Sequence, residues 1–378
     1  MYPRWADAGD PLLALPKVTL HDHLDGSLRP ETMLELADAQ GQSLPYADPD
    51  TLAGWFQGTV AEPVVDNWDE KFGVTTRLMQ DPDSIVRVAH EFVLDLAADG
   101  VVYGETRWAP EKHVGKGMSL SETVEAVAAG LASGEQAAAA AGRPIRVRQL
   151  LCGMRTSDLS TEIAKLTIQH YGDSVAGFDV AGVEEGFPAS EHVEACRLLE
   201  AANVPFTFHT GEHDGVSSIA STVHDCHALR LGHGVRIVED IFLDGVALDI
   251  RSAVATVGSR IDSLTLGPLA RWVRDRRIPL EVCLSSNSKG NVVDGWANHP
   301  LGLLKALGFT VTMNPDNRMM SATSLTRDMR RAVETFGFGA ADLLEVTRNA
   351  AEAAFLPLAD RTALIADVIE PGFGDLHL

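Results

Sequence analysis

Cysteine is scarce in this chain: Cys152, Cys196, Cys226 and Cys283 are the four among 378 residues, widely spaced and without a C-x-x-C pair. That argues against a disulfide framework and a thiolate zinc site, and it fits a reducing compartment. Basic charge is short as well, with 31 Lys and Arg against 53 Asp and Glu for a formal net charge of −22, and no Lys/Arg cluster stands out. A nucleic-acid binder should show the reverse balance, so the expected partner is a neutral small molecule and not a nucleic acid. No apolar run reaches the roughly 18 residues a membrane helix needs, and the opening MYPRWADAGDPLLALPK lacks a basic start followed by an apolar stretch. The expectation is a cytoplasmic protein with no membrane attachment, a monomer or a small homo-oligomer.

What is present is a series of histidines and acids in one order: His21-Asp22-His23, then His209-Thr210-Gly211-Glu212, then Gly232-His233-Gly234, then Asn314-Pro315-Asp316-Asn317. In a strand, His21 and His23 share a face about 6.6–7 Å apart at Cα while Asp22 points away. A zinc hydrolase uses three or so protein ligands and leaves one position for water. His209 and Asp316 can complete such a set, which leaves Glu212 and His233 free to serve as acid and base. A single H-x-H in a chain with 13 histidines is weak by itself; the combination carries the reading, because each piece follows a strand-like run, where the rim of a barrel active site lies.

Short β-rich runs recur at 18–23, 101–107, 146–152, 175–180, 204–209, 229–232, 280–284 and 309–314, separated by helical patterns such as Asp83–Ala98 and the Ala-rich Ser119–Ala141. Eight βα units predict an α/β fold, a (β/α)8 TIM barrel, with residues 1–378 as one domain. The stretch 30–82 is too long for one crossover helix and holds Pro45, Pro49, Pro63 and Pro82 with Trp55, Phe56, Trp68 and Phe72. It is expected to be a helical insertion after strand 1, its aromatics either packing on the barrel or forming an apolar lid. Residues 340–378 read as closing helices with a frayed tail.

Six ordered blocks resemble the adenosine deaminase family. They are Leu15 through Ser27, Phe178-Asp179-Val180-Ala181-Gly182, His209-Thr210-Gly211-Glu212, Arg230-Leu231-Gly232-His233-Gly234, Cys283-Leu284-Ser285-Ser286-Asn287 and Asn314-Pro315-Asp316-Asn317. The resemblance runs from about Leu15 to about Phe355. It implies one Zn2+ per chain on His21, His23, His209 and Asp316, and deamination of adenosine and 2′-deoxyadenosine by zinc hydroxide attack at purine C6. By the same resemblance Glu212 protonates N1, and His233 orients or deprotonates the zinc water. Gly182 offers its N–H to N3, Asp25 holds a ribose hydroxyl, and Asn317 meets N7. His23 is also counted among the substrate contacts, and Asp316 among the catalytic residues.

From the residues alone, Asp25-Gly26 reads equally as a strand-end turn, Gly182 also has a reading as a strand-end turn glycine, and Met154 reads as core filling. Many family members carry a second Asp at the position of Asn317; an amide can still donate to an N7 acceptor. Pro315 replaces the usual small polar residue, and Val183-Glu184-Glu185 and Ser288-Lys289 also depart from common versions. His213, His224, His227 and His299 have no partner in these blocks and read as surface or packing residues, with His213 set apart by its place beside Glu212.

Three alternatives stand beside this reading. One is a deaminase of adenine or of a modified adenine nucleoside, although related adenine deaminases tend to carry Glu where this chain has Asp25. A binuclear amidohydrolase is disfavoured because no lysine lies between Lys165 and Lys289 to bridge two metals. A catalytically silent zinc or nucleoside binder would need neither Glu212 nor His233. The H-x-E plus P-C-x-x-C arrangement of cytidine-type deaminases is absent.

Overall fold

The computed structural model describes residues 9–60 and 68–374. The first eight residues, Pro63 of the expected insertion and the last four residues of the tail lie outside them. Eleven strands occur among the described residues: β1 Lys17–His23, β2 Val101–Trp108, β3 Arg146–Met154, β4 Val175–Ala181, β5 Thr207–Thr210, β6 Arg230–His233, β7 Ile241–Leu243, β8 Val246–Ala247, β9 Leu264–Leu266, β10 Leu280–Val282 and β11 Val311–Met313. β1-β2-β3-β4 form one parallel sheet, and β11-β10-β6-β5 form another. Parallel bridges join the two sheets at Phe178–Phe206 and at Asp22–Asp316, which completes the ring of a (β/α)8 barrel. The second seam lies at the candidate site, where His23 N donates to Asp316 O at 2.7 Å and Asp316 N donates to His21 O at 3.0 Å.

The eight expected strands are the eight of the barrel, with shifted ends. The run 280–284 stops at Val282 because Cys283 precedes a helix, Leu284–Lys289, and 309–314 shortens to Val311–Met313 where the chain turns into the Asp316 loop. The antiparallel excursion β8-β7-β9 between β6 and β10 was not anticipated; its strands are three residues or fewer, too short to show a period. No helix among the described residues is long and apolar enough to cross a membrane.

Between β1 and β2 lie α1 Pro30–Gln40, α2 Pro49–Phe56, α3 Trp68–Leu78 and the crossover helix α4 Pro82–Ala98. α4 starts where Asp81 accepts a hydrogen bond from Ser84 N and Pro82 supplies the first turn. α5, Leu120–Ala140, starts on a capping box of Ser119 and Glu122. Its Gly130 and Gly134 let α4 approach closely: a Cβ would fall 2.5 Å from Val86 O at Gly130 and 2.8 Å from His90 O at Gly134. The insertion aromatics occupy two kinds of place. Trp55 and Phe56 are buried against each other with centroids 4.8 Å apart, whereas Trp68 and Phe72 face the cavity at the barrel mouth.

Candidate active site

The strand ends bring the expected residues together. His21 and His23 come from the end of β1, His209 from β5, His233 from β6, and Asp316 from the loop after β11. His23 Nε2 is 3.0 Å from His209 Nε2, and Asp316 Oδ1 lies 3.2 Å from His21 Nε2 and 3.3 Å from His23 Nε2. A tetrahedron of donors about 2.0–2.1 Å from zinc has an edge of about 3.3 Å, so these separations fit a zinc-sized cation. His21 Nε2 and Asp316 Oδ1 are buried with no hydrogen-bond partner, as inward-facing ligand atoms would be. His233 competes with His23 for a corner, since atoms of His21, His209, His233 and Asp316 also lie within 4.8 Å of one another.

The outward ring nitrogens are anchored. His21 Nδ1 meets Glu281 Oε2 at 3.0 Å and His209 Nδ1 meets Asp179 Oδ2 at 3.0 Å, which fixes each ring and keeps Nε2 for the centre. Both acids belong to a buried ion network in the barrel interior: Arg107 pairs with Asp179 and Glu281, both at 2.8 Å, and Arg230 pairs with Glu105 at 2.6 Å and Glu281 at 2.7 Å. Burial holds the His23 and His233 rings well below the ordinary imidazole value, and His209 below it to a lesser degree. Neutral imidazole is the form that ligates. Burial opposes ionisation of Asp316, but His21 and His23 beside it keep the carboxyl well below the usual range.

Glu212 behaves in the opposite sense. Burial, reinforced by the charges of Asp316 and Glu184, pushes its carboxyl well above the usual carboxylate range. Its Oε2 lies 3.4 Å from His233 Nε2 and its Oε1 lies 3.4 Å from Asn287 Nδ2. His233 and Asp316 both adopt φ of +64°, a left-handed conformation that costs energy in a non-glycine residue and concentrates at functional sites. Gly182 has φ of +101°, so its identity is explained by backbone geometry.

A cavity of about 760 Å³ opens over these groups, lined also by Asp25, Trp68, Phe72, Met154, Gly182 and Asn317. Residues 16–371 match the family described as Adenosine deaminase. The chain belongs to the adenosine deaminase family. An adenosine deaminase of Mycobacteroides abscessus is 45% identical over 364 residues, covering 96% of each chain, and one of Mycobacterium avium is 46% identical over 362 residues, covering 96% of each. Among solved structures, an adenine deaminase of Arthrobacter aurescens aligns with a TM-score of 0.76 at 21% identity, covering 94% of this chain and 98% of that one. An amidohydrolase of Burkholderia ambifaria with bound Zn aligns with a TM-score of 0.77 at 24% identity, covering 96% and 92%. Family membership makes this chain a hydrolase with a metal-capable centre.

Several residues of this deaminase-family site were not singled out by sequence. Asp179 and Glu281 anchor the His209 and His21 rings, and an acid inside an apolar strand, as in Phe178-Asp179-Val180 or Leu280-Glu281-Val282, is the signal that could have marked them. Glu184 accepts backbone hydrogen bonds from Gly211, Glu212, His213 and Asp214 and one from Ser218 Oγ, so it shapes the turn carrying Glu212. His113 is buried with Nε2 3.7 Å from Asp25 Oδ2. His213 lines the cavity with Nε2 3.7 Å from Glu212 Oε2, whereas His227 pairs with Glu200 on the surface. His299 is fully buried, with Nε2 3.2 Å from Asn287 Oδ1. Met154 also lines the cavity, and it sits 3.0 Å from where a Cβ on Gly182 would be.

Proposed function

We propose that this chain is a zinc-dependent adenosine deaminase that converts adenosine and 2′-deoxyadenosine to the inosine nucleosides and ammonia. The observation that carries it is three histidines and an aspartate at zinc-ligand spacing beside a carboxyl that burial pushes well above the usual carboxylate range, with one cavity over them. His21, His23, His209 and Asp316 would hold one Zn2+, which when bound supplies an activated water near neutral pH. Glu212 holds a proton at its carboxyl and passes it to purine N1 as C6 is attacked, so negative charge does not accumulate on the ring. His233 orients the water. Gly182 N–H meets N3, Asp25 takes a ribose hydroxyl, and the Asn317 amide donates to N7. Gly26 supports that last contact, because a Cβ there would fall 1.9 Å from Asn317 Oδ1.

Trp68 and Phe72 serve as an apolar lid on α3, with the Phe72 ring 5.8 Å from that of His23. The insertion over 30–82 and the barrel are taken as one domain. Lys112 is the one Lys or Arg among the described lining residues, against Asp25, Asp69, Glu184, Glu185, Glu212 and Asp316. Such a wall favours an uncharged nucleoside over a nucleotide. The four cysteines are free and buried, as suits a cytoplasmic enzyme. The test is loss of ultraviolet absorbance when zinc-quantified protein meets adenosine, 2′-deoxyadenosine, adenine and AMP in parallel. Turnover of both nucleosides alone supports the reading; turnover of adenine or AMP alone, or of none, overturns it.

A further inference from the structure

We propose that His299 and Asn287 are positioning residues that lock His233 in its Nε2-protonated tautomer, so that His233 meets the reacting water as a hydrogen-bond donor and stays outside the ligand set. This deepens the deaminase reading and rests on it for the role of the water alone.

The tautomer follows by donor and acceptor logic along three buried side chains. Leu301 N donates to His299 Nδ1 at 3.1 Å, so that nitrogen is unprotonated and the neutral ring carries its proton on Nε2. His299 has no charged group to compensate its complete burial, which holds the ring neutral. Its Nε2 lies 3.2 Å from Asn287 Oδ1, and the N–H there sets the amide: oxygen toward His299, nitrogen toward the site. The reverse orientation would turn Nδ2 against that N–H. Asn287 Nδ2 stands 3.1 Å from His233 Nδ1 and 3.4 Å from Glu212 Oε1. An amide nitrogen only donates, so His233 Nδ1 accepts and the His233 proton resides on Nε2. A protonated Nε2 has no lone pair for a metal, which leaves the contested corner to His23. It also cannot take a proton from water, so His233 orients and does not deprotonate.

The helix that carries Asn287 makes this placement rigid. Asn287 N donates to Cys283 O at 2.9 Å, Asn287 O accepts from Val292 N at 3.0 Å, and the side chain is fully buried.

Long-range proton–nitrogen NMR of histidine-labelled protein, with and without Zn2+, reads the tautomer directly and independently of turnover. The expected wild-type result is a protonated Nε2 and a bare Nδ1 on His233. Asn287→Asp presents an acceptor to Nδ1; the proton should move there and kcat should fall at least about a hundredfold with KM and zinc content kept, the wrong-tautomer effect reaching ~10⁴ in serine proteases. His299→Gln, whose amide can still donate to Asn287 Oδ1, should keep the wild-type tautomer. A protonated Nδ1 in the wild type, or an Asn287→Asp protein with ring and kcat unchanged, would overturn the proposal. Protein with the Nε2 proton but no activity on purines would uphold it while sinking the deaminase reading.

Discussion

Glu281 sits fully buried on β10, where Oε2 meets His21 Nδ1 at 3.0 Å and Arg107 at 2.8 Å while Oε1 meets Arg230 at 2.7 Å. Burial opposes its charge, yet Arg107 and Arg230 hold the carboxyl well below the usual range. Glu281→Gln keeps the shape, removes that charge and turns one acceptor into a donor facing a donor. Breaking a buried pair costs about 3–5 kcal/mol; Arg107 retains Asp179 and Arg230 retains Glu105, which points to the lower end. With an unfolding entropy of about 2.1 cal/mol/K per residue over 378 residues, a loss of about 3 kcal/mol lowers Tm by roughly 4 °C. Because His21 loses a fixed orientation, zinc affinity should fall about 10–100-fold. Calorimetry of the metal-free protein reads the first effect and chelator competition the second. An unchanged Tm together with zinc affinity within about twofold of wild type would refute the coupling of barrel interior to metal centre.

Three further outcomes are expected. Gly26→Ala drives a methyl into Asn317 Oδ1 and should raise KM for adenosine about tenfold, the worth of one hydrogen bond of ~1.4 kcal/mol, while zinc content holds; an unchanged KM contradicts the N7 contact. Glu184→Gln puts an N–H2 where the turn from Gly211 to Asp214 needs an acceptor, and kcat should fall about a hundredfold, the effect of a misplacement of ~1 Å; faster amide exchange in that turn is the independent readout. Lys17, whose Nζ donates to Leu15 O and Asp99 O, is lowered to about 8 by burial despite the nearby charge of Asp99. Its burial penalty is complete below pH 8; above that the folded state releases a proton that the unfolded state keeps until about 10.5. Stability relative to Lys17→Met should therefore rise by up to about 3 kcal/mol across that window, and a flat difference between the two proteins refutes it.

The sequence made the barrel legible because its parallel strands are mostly buried and several read as short runs rich in apolar residues, as β4 does with all seven residues buried. The residues that the structure gathers at the candidate site were legible because strand ends and glycines mark them. The supporting layer was not, because its contacts join residues far apart in the chain: His21 to Glu281 spans 260 positions and His233 to Asn287 spans 54. Nothing local in Asn298-His299-Pro300 shows that the ring reaches the site through Asn287. The division of the insertion aromatics was hidden for a similar reason, since α2 turns its pair inward and α3 turns its pair toward the cavity.

Glu212→Gln tests the central claim most directly. The amide fills the same volume and cannot give a proton to N1, so adenosine turnover should vanish while the purified protein keeps about one zinc per chain, the load of a single four-ligand site. Ordinary turnover by Glu212→Gln with zinc in place would contradict the account.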